Sequence, residues 1–379
     1  MDHFPGLSED GRAWAEIDLN ALAYNAGQVS AMLPDGCKIM AVVKADAYGH
    51  GAERTAMRLR REGVDTFAVA TISEGIKLRK EGLDGNILVL GYTHPKDAGS
   101  LNAFELTQLV VDGAYARALD ATGHKLRVHI AVDTGMHRLG IESTQTDEIE
   151  SVFKCRNLTV EGVASHLASS DSIDDGDTDF TNLQIERFFA AVESLKSKGY
   201  DPGKLHIQAS YGICNYSGIK CDYARAGITL YGVMSHNAKM RIKPSLKPVL
   251  SLRARIAQVR RINAGESVSY GRTFTALMPL MLATVCIGYA DGIPRQMSGC
   301  GGMCIIHGQK AIIVGRICMD LLMVDVTGID HVEPCDIATL IGRDGNEEIR
   351  CENVAEQSGT ITNDILCRLG SRLPRIYLN

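Results

Sequence analysis

Residues 39–51 read "IMAVVKADAYGHG", an apolar run that stops at Lys44 and is followed at once by small and polar residues. The run is rich in β-branched residues and too short for a helix, so it predicts a buried strand that ends in a lysine. A buried lysine is costly unless it is paired or neutral, and a desolvated lysine is nucleophilic enough to form a Schiff base. A lysine that reaches out to solvent is the alternative interpretation of this stretch alone.

Seven further apolar runs follow, and they begin at Asp65, Asn86, Leu106, Leu126, Leu158, Lys204 and Ala224. The intervals between several of them have helical periodicity, at 72–83, 114–124 and 181–199. Eight buried strands that alternate with helices over about 220 residues predict an α/β fold, a parallel (β/α)8 barrel. A doubly wound sheet is the alternative, but no GxGxxG motif follows the first strand.

After Val249 the chain changes to short strands separated by glycine-containing turns, which predicts a second, mostly antiparallel β-domain. The segments "IHGQKA" and "GRDGNEE" have the composition of hairpin loops. Two prolines and several basic residues interrupt regular structure at 240–250, so we place the barrel domain at 1–245 and the β-domain at 246–379. A single helix is predicted near the end, within 352–370.

Composition limits the class of protein. The 379 residues carry a formal net charge of −5 without a basic block, which argues against nucleic-acid and membrane-surface binding. No apolar run reaches the roughly 18 residues of a membrane span, and no secretory signal is visible. Eleven scattered cysteines, without a zinc-type spacing, predict free thiols in a reducing cytoplasm and no metal site. A membrane anchor on a longer parent chain stays open.

Chemistry in such barrels collects at the carboxyl ends of the strands. Lys44 ends the first strand there, His166 follows the sixth, and Arg225 lies on the eighth. Ser210 and Gly227 lie after strands seven and eight, where barrels commonly bind phosphate. A nucleophilic lysine, a ring-stacking histidine and a phosphate site together predict pyridoxal 5'-phosphate. Taken singly, His166 also fits a satisfied core histidine and Arg225 a structural ion pair.

The chain carries six linked motifs: "AVVKADAYGHG" (41–51), "VDTGMHRLG" (132–140), "ARAGITLYG" (224–232), "VSYGRTF" (268–274), "IGYADG" (287–292) and "ICMD" (317–320). In order and spacing they resemble those of the alanine racemases, and the resemblance extends from residue 13 to residue 378. That family implies a barrel followed by a β-domain, pyridoxal phosphate as cofactor, and a homodimer in which both subunits build each active site.

The resemblance also implies roles for individual residues. Lys44 would hold the cofactor and act as one base, and Tyr270 of the partner subunit would be the opposite base. Arg225 would face the pyridine nitrogen and Arg138 the phenolic oxygen, close to the substrate. The remaining assignments are the cofactor ring (His166), the cofactor phosphate (Tyr48, Ser210, Gly227, Ile228) and the substrate side (Tyr289 and Met319 of the partner subunit, and Asn363).

Three positions depart from the usual pattern of alanine racemases. Ala131 stands where many members have a lysine, so Arg138 must be balanced by another group, such as a bound anion. Ala209 replaces an asparagine beside the phosphate site. Asn363 replaces a tyrosine near the substrate, which leaves room and a hydrogen bond for a side chain larger than methyl.

The substitution at Asn363 resembles the racemase domains of membrane-bound serine racemases associated with vancomycin resistance. It predicts racemisation of serine and alanine, small amino acids that supply D-residues for cell-wall precursors. The principal alternative is an alanine racemase without significant serine activity. A non-catalytic pyridoxal-phosphate protein and an amino-acid decarboxylase are disfavoured, the former by the presence of "VSYGRTF" and the β-domain, the latter by Arg225 where a glutamate is typical.

Overall fold

The computed structural model describes residues 11–379, so the first ten residues, which we assigned to the barrel domain, lie outside the described part. The strands are β1 (Ala13–Asp18), β2 (Lys38–Val42), β3 (Thr66–Val69), β4 (Asn86–Val89), β5 (Thr107–Val110), β6 (Leu126–Asp133), β7 (Ile141–Glu142), β8 (Leu158–Ala164), β9 (Lys204–His206), β10 (Tyr223–Ala226), β11 (Leu250–Ile262), β12 (Ser267–Val268), β13 (Phe274–Thr275), β14 (Leu280–Val285), β15 (Met303–Ile306), β16 (Gln309–Ile313), β17 (Leu322–Asp325), β18 (Ile337–Asp344), β19 (Glu347–Ile349) and β20 (Arg375–Leu378).

The helices are α1 (Leu19–Ser30), α2 (Lys44–Gly49), α3 (Ala52–Arg61), α4 (Ile72–Lys80), α5 (Ala98–Ala103), α6 (Gly113–Asp120), α7 (Thr146–Phe153), α8 (Asp175–Ser197), α9 (Ser210–Asn215), α10 (Cys351–Gln357) and α11 (Thr362–Cys367). Within residues 11–379, no helix is both long and apolar enough to cross a membrane.

Eight strands form a parallel sheet in the order β10-β2-β3-β4-β5-β6-β8-β9. The two end strands approach each other, since the Asp222 N–H donates to the Leu205 carbonyl at 3.0 Å and the Arg225 N–H donates to the Gln208 carbonyl at 3.1 Å. The sheet therefore closes into a barrel, as predicted. The strands carry near-continuous buried runs, such as "TFAV" in β3, because helices cover the outside and side chains fill the inside.

The second sheet has the order β19-β18-β15-β16-β17-β14-β11-β1-β20. Its pairs are antiparallel except β1 with β20, which confirms the mostly antiparallel domain. Strand β1, which precedes the barrel in sequence, pairs with β11 through Ala13 opposite Ala254. The start of the described chain is thus part of the second sheet. The proposed boundary at 245/246 falls in the segment between β10 and β11.

Two helix predictions need correction. Helix α8 begins at Asp175 rather than near Thr181, because Asp175 and Asp177 occupy its first turn, where acidic side chains interact favourably with the helix dipole. The single helix predicted near the end is two helices, α10 and α11. Gly359, with φ of +66°, lies in the break between them and turns the chain so that α11 packs against α2.

Candidate active site

A cavity of about 620 Å³ opens at the carboxyl ends of the barrel strands. Most of the predicted site residues line it: Lys44, Tyr48, Arg138, His166, Ser210, Arg225, Gly227, Ile228 and Asn363. The structure therefore brings together residues that are up to 319 positions apart (363 − 44) in the sequence. The size is within the range of pockets that bind cofactors with their substrates.

Lys44 is followed by a backbone turn that sequence reasoning did not anticipate. The residues from Ala45 to Tyr48 all have φ between 52° and 54°, a left-handed turn within α2. Side chains other than glycine disfavour this conformation by about 1–2 kcal/mol per residue, so neighbouring groups must hold it. The turn directs the chain back so that Lys44 and Tyr48 both line the cavity.

Glu74 on α4 supplies much of that support. Its Oε1 accepts a hydrogen bond from the Ala45 N–H at 2.7 Å, and its Oε2 accepts from the N–H groups of Ala70 at 2.7 Å and Thr71 at 3.1 Å. Sequence reasoning missed this residue. The available signal was the pair Thr71 and Glu74, which forms a capping box at the start of α4.

We expect Glu74→Ala to lower the free energy of unfolding by about 1–3 kcal/mol, because the N–H groups of half-buried Ala70 and of exposed Ala45 and Thr71 all lose a charged acceptor. Chemical denaturation of the apoenzyme measures this change. Glu81→Ala, on the exposed residue that caps the end of the same helix, is the matched control and should change stability by less than about 0.5 kcal/mol. Equal stability of the two variants would show that the left-handed turn does not depend on Glu74.

The Lys44 ammonium lies in surroundings that disfavour its charge. Burial lowers the pKa of Lys44, and the nearby cations Arg138 and Arg225 lower it further. A larger fraction of the amine is therefore neutral, which is the form that attacks a carbonyl or accepts a proton. The prediction of a desolvated lysine at this strand end agrees with this environment.

Arg225 is a buried cation that is held by dipoles. Its Nη1 donates to Nδ1 and the carbonyl of His206 at 2.6 and 3.0 Å. Its Nη2 donates to Nδ1 of His166 at 2.9 Å and to the carbonyls of Ser165 and Ile207 at 2.7 and 3.0 Å. None of these five hydrogen bonds uses Nε, and Arg225 lines the cavity. Burial, together with Arg138, lowers the pKa of Arg225 to about 10.

The part of the cavity lined by Tyr48, Ser210 and Gly227 has the features of a phosphate site. A Cβ on Gly227 would lie 2.8 Å from the Tyr48 hydroxyl oxygen, so a larger residue would displace that hydroxyl. The Ser210 hydroxyl lies beside two backbone donors, the N–H groups of Gly227 at 3.2 Å and Thr229 at 3.4 Å. Hydroxyls and backbone N–H groups that converge beside a glycine suit the oxygens of a phosphate.

These features fit pyridoxal phosphate. Lys44, with its lowered pKa, can form a Schiff base with the cofactor's aldehyde group. The buried guanidinium of Arg225, whose Nε–H is not used in the five hydrogen bonds above, can face the ring nitrogen. Burial and the charge of Arg225 lower the pKa of His166 to about 3, so this imidazole is neutral and suited to lie against a ring. A sequence comparison decides the family. Residues 17–235 match the N-terminal domain of alanine racemases and residues 249–377 match their C-terminal domain.

The chain belongs to the alanine racemase family.

Alanine racemases depend on pyridoxal phosphate, which confirms the predicted cofactor. Among relatives, an amino-acid racemase of Enterococcus faecalis is 42% identical over 367 residues, which are 97% of this chain and 52% of that protein. The alanine racemase of Geobacter sulfurreducens is 39% identical and covered over 97% of its length, and 96% of this chain aligns. A serine/alanine racemase of Enterococcus gallinarum is also 39% identical, over 96% of this chain and 51% of that protein.

The chain thus spans about half the length of two of these relatives and nearly all of the third. Among solved structures, alanine racemase of Clostridium difficile superimposes with a TM-score of 0.90 at 32% identity, over 97% of this chain and 96% of the other. A histidine racemase of Leuconostoc mesenteroides has a TM-score of 0.88 at 27% identity, over 98% and 99% of the two chains. The family confirms the two-domain fold, but it includes proteins named for different substrates.

Three predicted residues of the racemase site do not line the cavity of a single chain. Tyr270, Tyr289 and Met319 lie on the β-domain, with 69%, 42% and 53% of their surfaces exposed. Tyr270 follows Ser269, which has φ of +66° and whose hydroxyl donates to the Arg316 carbonyl at 2.6 Å. The β-domain therefore presents these side chains outward, where a second subunit can receive them.

The two alanines that depart from the family pattern do line the cavity. Ala131, on β6, is 6% exposed and forms part of the same wall as Arg138. Ala209 precedes Ser210 at the start of α9. Neither methyl group offers a polar contact to Arg138, which is exposed in the single chain. That another group or a bound anion balances Arg138 stays a prediction.

Proposed function

We propose that this protein racemises serine and alanine, with pyridoxal phosphate on Lys44 and with two bases on opposite faces of the substrate. The observation that supports the serine activity is the environment of Asn363. This residue lines the cavity that contains Lys44. Its Oδ1 is buried and makes no hydrogen bond within residues 11–379.

An unsatisfied buried amide oxygen costs about 1–3 kcal/mol, and the hydroxyl of a serine substrate would relieve it. Asn363 is the second residue of α11, and the start of this helix is fixed because the Thr362 N–H donates to the Ser235 carbonyl at 2.9 Å. The backbone that carries the amide is therefore fixed at the cavity wall. An alanine substrate leaves the amide unpaired, and a tyrosine at this position would occupy the space.

Racemisation needs an acid or base on each face of the substrate Cα, so that a proton leaves one face and returns to the other. When bound, pyridoxal phosphate withdraws electrons from Cα and makes its proton acidic. We assign one face to the Lys44 amine, whose lowered pKa favours the basic form. We assign the other face to the phenol of Tyr270 of the partner subunit.

Arg225 is assigned to the ring nitrogen of the cofactor through its Nε–H. A guanidinium only donates hydrogen bonds and keeps its proton, so it would leave the ring nitrogen unprotonated. A carboxylate at this place would keep that nitrogen protonated and strengthen the electron withdrawal. The arginine therefore favours return of the proton to Cα over side reactions such as transamination.

We infer a homodimer whose two active sites each combine Lys44 of one subunit with Tyr270 of the other. The exposed apolar residues of the β-domain support it, since Leu277 and Met278 expose 94% and 67% of their surfaces beside the Tyr270 loop. We further propose that this chain acts in the cytoplasm and supplies D-amino acids for cell-wall precursors. Two relatives are about twice as long as the chain, and a membrane-anchored protein that contains this chain would likewise have an additional region. An alanine racemase without serine activity is the alternative.

Asn363→Tyr is expected to lower kcat/KM for L-serine by about 10²-fold more than that for L-alanine, because a pocket that offers a substrate hydroxyl no partner discriminates against the hydroxylated analogue by about this factor. Steady-state racemisation of both amino acids measures the ratio. Asn363→Ala is the matched control, since it removes the amide but adds no bulk. It should lower serine turnover while leaving alanine turnover within a few-fold of the wild type.

Parallel losses for both substrates in Asn363→Tyr, or a wild-type enzyme that does not turn over serine, would contradict the serine assignment and leave an alanine racemase. If Asn363→Ala retains full serine activity while Asn363→Tyr loses it, the space at this position matters and the hydrogen bond does not.

A further inference from the structure

A row of three buried side chains leads from the cavity wall, which Arg225 and His206 line, into the interior of the barrel. Nη1 of Arg225 is 2.6 Å from Nδ1 of His206, and Nε2 of His206 is 2.8 Å from Nδ1 of His129. The three residues come from β10, β9 and β6, and each is less than 9% exposed. His129 does not line the cavity, so it can reach the cofactor site only through its neighbours.

The guanidinium of Arg225, at one end of the row, determines which ring nitrogen of each histidine carries the proton. A guanidinium only donates, so Nδ1 of His206 must accept and the proton of this imidazole must be on Nε2. That Nε2–H then donates to Nδ1 of His129, which leaves the proton of His129 on its Nε2. Both imidazoles must be neutral for this pattern. Burial supports that state, since it lowers the pKa of His129 to about 4 and holds the pKa of His206 well below its usual value.

We propose that His129 is a positioning residue for the cofactor: it accepts the proton of His206 Nε2, fixes the tautomer and ring orientation of His206, and thereby aims the Nε–H of Arg225 into the cavity. The inference rests on the proposed function, in which Arg225 faces the cofactor ring. Without an acceptor at position 129, the buried His206 Nε2–H would be unpaired. The ring could then gain a hydrogen bond only by turning away from Arg225.

The barrel wall is shaped around this imidazole. A Cβ on Gly162 of β8 would lie 2.7 Å from both Cε1 and Nδ1 of His129, and 2.5 Å from the Lys204 carbonyl oxygen. The pairing of β6 with β8 also shifts register between Val128 and His129, and such an irregularity re-aims a side chain. The glycine and the register shift let the ring of His129 approach the strand closely enough to reach His206.

The orientation of the His206 ring affects Arg225 because Nη1 of the guanidinium has no hydrogen-bond partner other than His206 within residues 11–379. Its Nη1 bonds only to Nδ1 and the carbonyl of His206 among its five hydrogen bonds. No carboxylate takes part in them. A buried charge that relies on dipoles is sensitive to the direction of each dipole, so rotation of one imidazole would redirect the guanidinium.

The first test uses the wild-type apoenzyme. ¹⁵N spectra of histidine-labelled protein distinguish protonated from unprotonated ring nitrogens, with His129→Leu and His206→Gln used to assign the two rings. We expect both His129 and His206 to carry their proton on Nε2 and to keep it there after pyridoxal phosphate is added. A proton on Nδ1 of His206 in the wild type would overturn the proposal, whether or not the variants fold.

The second test measures pyridoxal-phosphate affinity and the absorption spectrum of the bound cofactor by titration of apoenzyme. His129→Leu should weaken binding by about tenfold, the effect of one lost hydrogen bond to a charged network, and shift the cofactor absorption band. His129→Asn, whose Oδ1 can replace Nδ1 as acceptor, should restore both to within about threefold of the wild type. His124→Leu, on an exposed histidine, is the control and should match the wild type.

The outcomes separate this inference from the proposed function. If Arg225→Ala changes cofactor affinity and spectrum but His129→Leu changes only thermal stability, His129 is merely structural and the proposal fails. If His129→Asn is as impaired as His129→Leu, the acceptor role fails as well. If Arg225→Ala itself leaves pyridoxal-phosphate affinity and spectrum unchanged, the assignment of Arg225 in the proposed function is wrong, and the proposal for His129 fails with it.

Discussion

Lys44→Ala is expected to abolish the covalent attachment of pyridoxal phosphate and to lower kcat for alanine and serine by on the order of 10³-fold or more, because it removes both the anchor and one of two bases. Absorption spectra of the dialysed protein measure attachment, and steady-state racemisation in both directions measures turnover. The lysine is suited to both roles because burial and two neighbouring guanidinium groups lower its pKa.

A matched control lies on β2, the strand that directly precedes Lys44. Lys38 begins β2, is exposed, and forms an ion pair with Asp65 at 3.1 Å. Lys38→Ala should retain the cofactor and full activity, since an exposed pair of this kind contributes about 0–1 kcal/mol to stability. A Lys44→Ala protein that still binds pyridoxal phosphate covalently would place the attachment on another lysine and remove the basis of the mechanism.

The sequence predicted the barrel and most of the cavity because both follow from local patterns. Buried parallel strands appear in the sequence as continuous apolar runs. Their carboxyl ends all lie at one end of the barrel, so the residues that follow those runs are close together in space. Lys44, His166, Ser210 and Arg225 were found in this way and line one cavity. Tyr48 and Arg138 also follow the ends of these runs, and the family resemblance gave them their roles. The resemblance alone added Asn363, whose position no periodicity indicates.

The features that were missed depend on contacts distant in sequence or on strained backbone. No propensity predicts four consecutive left-handed residues at Ala45–Tyr48, because the conformation is unfavourable locally and is held by Glu74 from the next βα unit. His206 sits inside an ordinary apolar run, and its role emerges only when the barrel closes and brings it to Arg225. The pairing of β1 with β11 joins residues more than 230 positions apart.

The same limit explains why Tyr270, Tyr289 and Met319 could be recognised as motifs but not placed. All three are exposed on the β-domain and none lines the cavity of its own chain. In the proposed mechanism, the site of one chain supplies Lys44 for one substrate face. No other side chain of residues 11–379 that lines the cavity is assigned as the opposite base. An active site shared between two subunits would supply the second base from the partner. Such a site predicts that two inactive variants can complement each other, which a site within one subunit does not.

Tyr270→Ala should lower racemisation by about 10²–10⁴-fold, the usual effect of losing a general base. Solvent hydrogen exchange at Cα should persist for only one enantiomer, the one whose proton faces Lys44. When the inactive Tyr270→Ala and Lys44→Ala proteins are mixed and allowed to exchange subunits, activity should return to about a quarter of the wild-type level. Half of the dimers are then mixed, and each mixed dimer has one site with both bases intact.

The recovery is diagnostic because neither variant chain carries both Lys44 and Tyr270, so a site built within a single chain cannot regain activity. Mixing Tyr270→Ala with Tyr270→Phe is the control and should restore nothing. Activity that stays at the level of the separate variants, despite mixed dimers detected by native mass spectrometry, would place both bases in one subunit. A Tyr270→Ala enzyme that racemises both enantiomers at the wild-type rate would remove Tyr270 from the mechanism and require another base opposite Lys44.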